Sequence, residues 1–130
     1  MRKPDVIVPP NHPNPPEPHE IEAAWILARH YSTAVEFLVP IDGYGIKTPD
    51  FVMDGVLWEL KSPLGKSRNT IGNQFMKASR QSRHIIIDAQ RTRIDDDTII
   101  TRIRLEMVKN RKIKKVLIIK KSQKVVEISS

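Results

Sequence analysis

Two acidic residues and a lysine flank a short segment that has the pattern of a β-hairpin. In the predicted strand Val56–Lys61, successive side chains point to opposite faces, so Glu59 and Lys61 share one face while the other face is apolar. Asp50 opens the preceding strand, and a turn at Asp54-Gly55 folds the two strands against each other. The pattern therefore predicts that two carboxylates and one ammonium group converge.

This set of side chains suits a divalent metal ion. The carboxylates of Asp50 and Glu59, with the carbonyl of Leu60 between them, are oxygen ligands of the kind that Mg²⁺ and Mn²⁺ prefer, and Zn²⁺ is a third candidate. Such an ion would polarise a phosphodiester and lower the pKa of a bound water. Lys61 would orient that water or neutralise charge that builds up on the phosphate. The alternative without function is a surface Glu–Lys pair on a half-exposed strand.

Local patterns predict the elements that position these residues. Asp-Gly between two apolar runs is a strong signal for a tight hairpin turn, because both central residues of a type I′ turn need a positive φ. Helices are predicted where apolar side chains recur on one helical face, and strands where runs are short and apolar or alternating. The predicted elements are helix Glu20–Tyr31, strands Val35–Val39, Phe51–Met53 and Val56–Lys61, helix Asn69–Arg83, strand His84–Asp88, helix Asp95–Arg111, and strands Lys115–Lys120 and Val125–Ile128.

This order of elements indicates an α/β fold with a mixed sheet in three layers. Helices between strands require at least one parallel crossover, and a sheet of that kind is covered by helices on both sides. In the first helix, Ile21, Ala24, Trp25 and Ala28 are predicted to form the buried face.

Composition and charge narrow the classes of function. The chain has 130 residues, no cysteine and a formal net charge of +7. The absence of cysteine excludes disulfides, thiolate metal sites and a cysteine nucleophile. Residues 61–93 carry 8 basic and 1 acidic side chains, and residues 102–124 carry 10 basic and 1 acidic, whereas residues 1–60 are net acidic. Such a distribution favours a polyanionic partner, or else it is a solvated basic surface.

The amino-terminal segment differs in composition from the rest. Residues 4–18 contain seven of the ten prolines, and proline fixes φ and lacks an N–H group. Residues 1–18 are therefore predicted to be an extended linker, and residues 19–130 the folded domain. No apolar run has the length of a membrane span, and the first residues lack the apolar core of a signal peptide.

The spacing of Pro49-Asp50 and Glu59-Leu60-Lys61 resembles the PD-(D/E)XK nuclease superfamily, whose core is an α-β-β-β-α-β unit. A wider string of residues is similar to the carboxyl-terminal tRNA-nuclease domains of contact-dependent growth inhibition (CdiA-type) toxins. The resemblance implies that Asp50 and Glu59 are metal ligands and that Lys61 is the catalytic lysine. The wider string comprises His19-Glu20, Lys47–Asp50, Trp58–Pro63, Gly65–Ser67, Thr70-Ile71, Gln81-Ser82 and Ile85–Asp88.

The superfamily often adds a glutamate from the first helix to the metal site. Glu20 and Glu22 are the two candidates, and the His-Glu opening favours Glu20 as a further catalytic and metal-binding residue. The alternative for both is compensation of the helix dipole by acidic residues in the first turn.

The resemblance implies a metal-dependent endonuclease that cleaves RNA, with tRNA the favoured substrate. Such a domain would be secreted as part of a larger protein and delivered to the cytoplasm of a target cell, whereas a stand-alone protein would be cytoplasmic. Its owner would need an immunity protein, which should be acidic because the exposed patches around the site are basic. Two alternatives remain: a DNA endonuclease of the same superfamily, and a nucleic-acid-binding module without catalysis.

Two groups of basic residues are candidates for phosphate contact. Lys66 and Arg68 lie in the loop before the second predicted helix, where backbone N–H groups and two cations can hold a phosphate. Lys77 and Arg80 lie at helical spacing on one side of that helix. The alternatives are a plain helix-start loop and a solvated helix face.

Overall fold

The structure, a computed structural model, describes residues 2–40 and 48–130. Most of the segment between the predicted strands Val35–Val39 and Phe51–Met53 lies outside these ranges, and so does Lys47 of the string that resembles the toxin domains. The chain forms two compact units, Met1–Trp58 and Glu59–Ser130. No helix within the described ranges combines the length and the hydropathy needed to cross a membrane.

The first unit is built from one helix and the first strands of the sheet. Strand β1 is parallel to β2, and β2 and β3 are antiparallel, as are β3 and the first part of β4. The elements are β1 (Asp5–Ile7), α1 (Pro18–Tyr31), β2 (Ala34–Phe37), β3 (Phe51–Met53) and the start of β4 (Val56–Lys61).

Strand β1 lies in the segment predicted to be a linker, and no strand was predicted there. Its three residues stand between Pro4 and the pair Pro9-Pro10, so each keeps an N–H group for pairing. The strand is at the end of the sheet order, where prolines near a strand are tolerated. Asp5 pairs with Ala34 in register. Part of the proline-rich segment thus belongs to the first unit.

Helix α1 has a defined start and stop. The backbone N–H of Glu17 donates to Oε1 of Glu20 (2.9 Å), which ties the first turn together. The helix ends where Ser32 adopts a left-handed φ of 50° and its N–H donates to the carbonyl of Ala28. Its buried residues are Ala23, Ala24, Ile26, Leu27 and Ala28.

The predicted buried face of α1 is partly wrong. Ala24 and Ala28 are fully buried, but Ile21 and Trp25 are only half-buried. Trp25 lies at the border of the real stripe, and the guanidinium of Arg29 stands over its ring at 5.3 Å. Such a cation–π contact stabilises an aromatic ring that remains partly in water.

The β3–β4 hairpin has the predicted bounds and the predicted turn. Asp54 and Gly55 have φ values of 53° and 75°, as a type I′ turn demands. Oδ1 of Asp54 also accepts a hydrogen bond from the hydroxyl of Thr33 (2.8 Å) and pairs with Arg2 (2.7 Å). The turn is therefore held by local chain geometry and by the side chain of its first residue.

The second unit contains the rest of β4 and a parallel arrangement of strands. Strands β4, β5 and β6 are parallel, and β7 returns antiparallel to β6. Within this unit the strand order follows the chain, from β4 to β7. The predicted mixed sheet with helical crossovers is confirmed. The remaining elements are α2 (Thr70–Ser79), β5 (His84–Asp88), α3 (Asp96–Lys109), β6 (Lys115–Ile119) and β7 (Val125–Ser129).

Helices α2 and α3 pack against β5 and β6 through a continuous apolar core. Strand β5 is buried throughout its apolar centre, as expected of a parallel strand with covered faces. Helix α3 begins at an N-cap, Asp95, whose carboxylate accepts hydrogen bonds from the hydroxyl and the N–H of Thr98 (2.6 and 3.2 Å). These hydrogen bonds lower the pKa of Asp95. The core includes Ile71, Phe75, Ile85, Ile87, Ile99, Ile103, Val116 and Ile118.

Helix α2 is shorter than predicted. It ends at Ser79, before the predicted end at Arg83, because its last turn tightens. The hydroxyl of Ser79 donates to the carbonyl of Met76 (2.7 Å), and the N–H of Gln81 donates to Ala78, three residues back (2.9 Å).

Candidate functional site

Asp50 and Glu20 line one cavity in the first unit. The cavity has a volume of about 320 Å³. Asp50 is fixed at its backbone, because its N–H donates to the carbonyl of Trp58 (3.0 Å) and its carbonyl accepts from the N–H of Leu38 (2.9 Å). These two bonds therefore fix the backbone from which the Asp50 side chain extends, directly before β3. Among the sequence-predicted site residues, the first unit brings Asp50 and Glu20 together.

The cavity distinguishes between the two glutamates of α1. Glu20 contributes to its wall, whereas Glu22 is exposed and does not line it. Oε1 of Glu20 already accepts the N–H of Glu17. A carboxylate offers about four lone-pair sites, so this helix-start bond leaves Glu20 able to accept further bonds.

His12 also lines this cavity, and sequence reasoning missed it. Its Nδ1 accepts the N–H of Asn14 (3.2 Å), so Nε2 carries the ring proton and donates to the carbonyl of Leu38 (3.0 Å). No spacing signal marks His12 in the sequence. Its place depends on the proline-rich segment folding onto β2, which is a tertiary event.

Glu59 and Lys61 form an ion pair on β4 in the second unit. Nζ of Lys61 lies 3.2 Å from Oε2 of Glu59, as strand alternation predicts for residues two apart. Glu59 is only 3% exposed, and the Lys61 side chain is 20% exposed. Burial of a carboxylate is costly unless it is paired. Glu59 is therefore a buried carboxylate paired with the Lys61 ammonium. The pair is less exposed than the surface contact of the alternative interpretation.

The hairpin links the two parts of the predicted site along the chain. Phe51 and Trp58 are partners in the β3–β4 register. Asp50 directly precedes Phe51, and Glu59 directly follows Trp58. Asp50 belongs to the first unit, and Glu59 and Lys61 belong to the second.

The chemistry of these side chains fits a hard divalent cation. Glu20, Asp50 and Glu59 offer carboxylate oxygens, which Mg²⁺ and Mn²⁺ prefer to nitrogen or sulfur. Within residues 2–40 and 48–130, no group of three or more His, Asp or Glu side chains is arranged to hold a metal ion. Mg²⁺ is commonly bound by one or two carboxylates, with waters and substrate phosphates as the remaining ligands. A site with only one or two protein carboxylates therefore suits this ion.

The four cations predicted to contact phosphate are all exposed. Lys66 and Arg68 lie in the loop between β4 and α2, and Lys77 and Arg80 lie at the end of α2. Because all four side chains are exposed, changing them should not disturb the packed core.

Two lysines next to the start of β5 affect the protonation of His84. The pKa of His84 is lowered, first by burial and then by the charges of Lys115 and Lys114. A lowered pKa keeps this imidazole neutral at neutral pH, so His84 adds hydrogen-bonding groups rather than charge.

Comparison with known proteins defines the class of this fold. The structure superposes on a CdiA-CT/CdiI toxin and immunity complex from Burkholderia pseudomallei, with a TM-score of 0.62 and 14% sequence identity. The match covers 97% of this chain and 99% of that chain. At this level of identity the likeness establishes the fold alone: an α/β domain like that of a chain in this complex.

The sequence then gives the family. The model of the contact-dependent growth inhibition CdiA C-terminal domain matches residues 47–125, more than half of the chain. The chain belongs to this family and is a toxin domain of contact-dependent growth inhibition, part of a secreted, delivered toxin. No curated protein matches it. The matched range includes Asp50, Glu59 and Lys61 but not Glu20.

Proposed function

We propose that this toxin domain is a metal-dependent endonuclease of the PD-(D/E)XK superfamily that cleaves RNA, with tRNA as its substrate. The observation that carries the proposal is the buried Glu59–Lys61 pair on β4, which follows directly on the hairpin that begins at Asp50. The Asp, Glu and Lys spacing is that of the superfamily, and the family match makes the domain a toxin.

The residues of this set have two roles in phosphodiester hydrolysis: two bind the metal ion and one stabilises charge on the phosphate. Asp50 and Glu59 hold Mg²⁺ or Mn²⁺, and Zn²⁺ is a third candidate. A bound cation of this type polarises the scissile phosphate and lowers the pKa of a water. Lys61, held at 3.2 Å by Glu59, presents its ammonium to the negative charge that grows on the phosphate. Because Glu59 fixes this ammonium before substrate binds, little reorganisation is needed during the reaction.

Glu20 is the third carboxylate of the proposed catalytic and metal-binding set. It lines the cavity that Asp50 also lines. A ligand bound by Asp50 would therefore meet the Glu20 carboxylate within the same unit, whereas the exposed Glu22 offers no such position.

The immunity partner and the site of action follow from the proposed activity. A toxin that cuts RNA must be neutralised in the cell that makes it, and the structural neighbour is itself described as a toxin and immunity complex. An acidic immunity protein suits the basic surface of this chain. The domain would act in the cytoplasm of the target cell, where tRNA is present.

Cleavage of total RNA by the purified domain tests this function. With Mg²⁺ or Mn²⁺ we expect discrete fragments from the tRNA fraction, no nicking of plasmid DNA, and loss of cleavage when the ion is chelated. Plasmid cleavage without RNA cleavage would favour the DNA endonuclease instead. RNA binding without cleavage of either substrate would leave a nucleic-acid-binding module.

Charge reversal on α2 should weaken RNA binding and flatten its salt dependence. The Lys77→Glu and Arg80→Glu double variant removes two phosphate contacts, and each contact contributes roughly 0.7–0.9 to the slope of log K against log salt concentration. We expect the slope to fall by about 1.5, as measured by binding of fluorescent tRNA across a salt series. Folding should be unchanged because both side chains are exposed.

A matched control removes the effect of net charge. The Lys3→Glu and Lys124→Glu variant has the same change in charge at exposed positions outside α2. Its slope should stay close to that of wild type. Equal slopes for the two double variants would show that the α2 cations act only through total charge.

A further inference from the structure

A second cavity lies in the second unit, where the β4–α2 loop meets α2 and α3. Its volume is about 250 Å³. Three cations, Lys66, Arg68 and Arg102, and two aliphatic side chains, Ile71 and Ile94, contribute to its wall. Small-molecule sites commonly span roughly 300–1,000 Å³. The volume of this cavity lies just below that range, which suits a small ligand. Its wall offers both positive charge and an apolar surface.

Arg102 is held in place from two sides. Its Nε donates to Oε1 of Glu106 (3.0 Å), and the Glu106 side chain is only 9% exposed. On the other side its guanidinium lies against Gly72 of α2, where a Cβ would collide with it. A guanidinium has five N–H donors in a rigid fork, so the bond from Nε to Glu106 leaves further N–H groups for a ligand.

The loop that carries the other two cations is anchored at both ends. The hydroxyl of Thr92 donates to the carbonyl of Gly65 (2.6 Å), and the hydroxyls of Ser67 and Thr70 lie 3.0 Å apart. Anchoring lowers the entropy lost when Lys66 and Arg68 bind an anion. None of the described residues that line the cavity is acidic.

We propose that this cavity is a subsite for one nucleotide of the RNA substrate. The phosphate binds to Lys66, Arg68 and Arg102, and the base or ribose packs on Ile71 and Ile94. Three cationic side chains on one cavity wall suit the charge of a phosphate, whereas a purely electrostatic contact would have no use for an aliphatic wall. The substrate class rests on the proposed nuclease function, but the binding chemistry does not.

The subsite lies close to the proposed catalytic lysine along the chain. Lys66 follows Lys61 by five residues, and five residues of chain span at most about 18 Å. A nucleotide bound here would therefore lie within a few nucleotides of the scissile phosphate. The subsite would then read the RNA sequence close to the cut.

Binding of small probes to the whole domain tests the subsite. The probes are the four nucleoside 5′-monophosphates, ribose 5-phosphate and inorganic phosphate, titrated into ¹⁵N-labelled protein and followed by amide chemical shifts. We expect shifts at residues 65–72 and near Arg102, and at least one nucleotide should bind about tenfold more tightly than inorganic phosphate. Arg68→Gln should weaken nucleotide binding about tenfold, the loss expected for one charge-assisted hydrogen bond.

Two further variants separate geometry from charge. Gly72→Ala keeps every charge and improves helix propensity, but its Cβ displaces the guanidinium of Arg102, so nucleotide binding should weaken several-fold. Arg104→Gln removes a cation from the same helix at an exposed position that does not line this cavity. Binding to this control should match wild type.

Three results would overturn the proposal: no shifts with any probe, equal affinity for all probes including inorganic phosphate, or displacement of the nucleotide by a glutamate-rich peptide at similar concentration. If nucleotides bind as expected but the domain cleaves no RNA, the subsite stands and the nuclease function fails. If RNA is cleaved and no probe binds, the nuclease function stands and the subsite fails.

Discussion

Lys61→Ala is expected to reduce RNA cleavage by about 10²–10³-fold, the effect of removing one group that stabilises charge in a transition state. RNA affinity should change little, because the variant loses one positive charge from a protein of net charge +7 and long-range attraction is spread over many cations. Single-turnover cleavage and equilibrium binding of the same tRNA give the two quantities.

Stability must be measured alongside activity, because Lys61 has a structural contact. Its ammonium lies 3.2 Å from Glu59, which is buried, so the Ala variant should lose about 1–3 kcal/mol of unfolding free energy. Assays well below the thermal midpoint keep the variant folded. Lys61→Arg keeps the charge and should retain more stability than Lys61→Ala.

Lys109→Ala is the matched control. Lys109 also stands near a buried glutamate, with 4.0 Å between its Nζ and Oε1 of Glu106, but it lies on α3. We expect this variant to cleave RNA at the wild-type rate. Cleavage by Lys61→Ala within about tenfold of wild type, a barrier change of only about 1.4 kcal/mol, would remove Lys61 from the catalytic set.

The parts of the fold that sequence predicted well are those set by local chemistry. The β3–β4 hairpin has the predicted bounds because Asp54 and Gly55 supply the two positive φ values within the turn itself. Strand β5 also has its predicted bounds, because a short apolar run between polar residues is typical of a strand buried on both faces.

The parts that sequence reasoning missed depend on partners distant in the chain. Strand β1 lies among prolines, and only pairing with β2 reveals it. The predicted end of α2 at Arg83 is four residues beyond the observed end at Ser79, because a hydrogen bond from the Ser79 hydroxyl to a backbone carbonyl closes the last turn. Trp25 was assigned to the core because helical spacing gives the apolar stripe but not its exact centre.

The same distinction holds for the candidate sites. Strand alternation was enough to pair Glu59 with Lys61, because the two residues are on one strand. It gave no indication that Glu59 is buried. Arg102 was not predicted to join Lys66 and Arg68, because their meeting depends on how α3 packs against α2 and on the missing side chain of Gly72.

Asp50→Asn is expected to weaken Mg²⁺ or Mn²⁺ binding at least tenfold and to abolish RNA cleavage. The substitution keeps the size of the side chain and removes the negative charge that a hard cation prefers. The backbone bonds from the Asp50 N–H to Trp58 and from the Leu38 N–H to the Asp50 carbonyl remain in this variant, so the start of β3 should keep its position. Calorimetric titration of the metal-free domain measures the affinity, and tRNA cleavage at saturating metal measures the activity.

Carboxylates elsewhere in the first unit supply the controls for this prediction. Asp54→Asn makes the same chemical change four residues later, in the hairpin turn, where Asp54 binds Thr33 and Arg2. It should bind metal as wild type does, although its turn is less stable. Glu20→Gln should weaken metal binding and Glu22→Gln should not, because only Glu20 lines the cavity with Asp50. A titration curve for Asp50→Asn that matches wild type would show that the metal binds without Asp50. Asp50 would then not belong to the proposed ligand set.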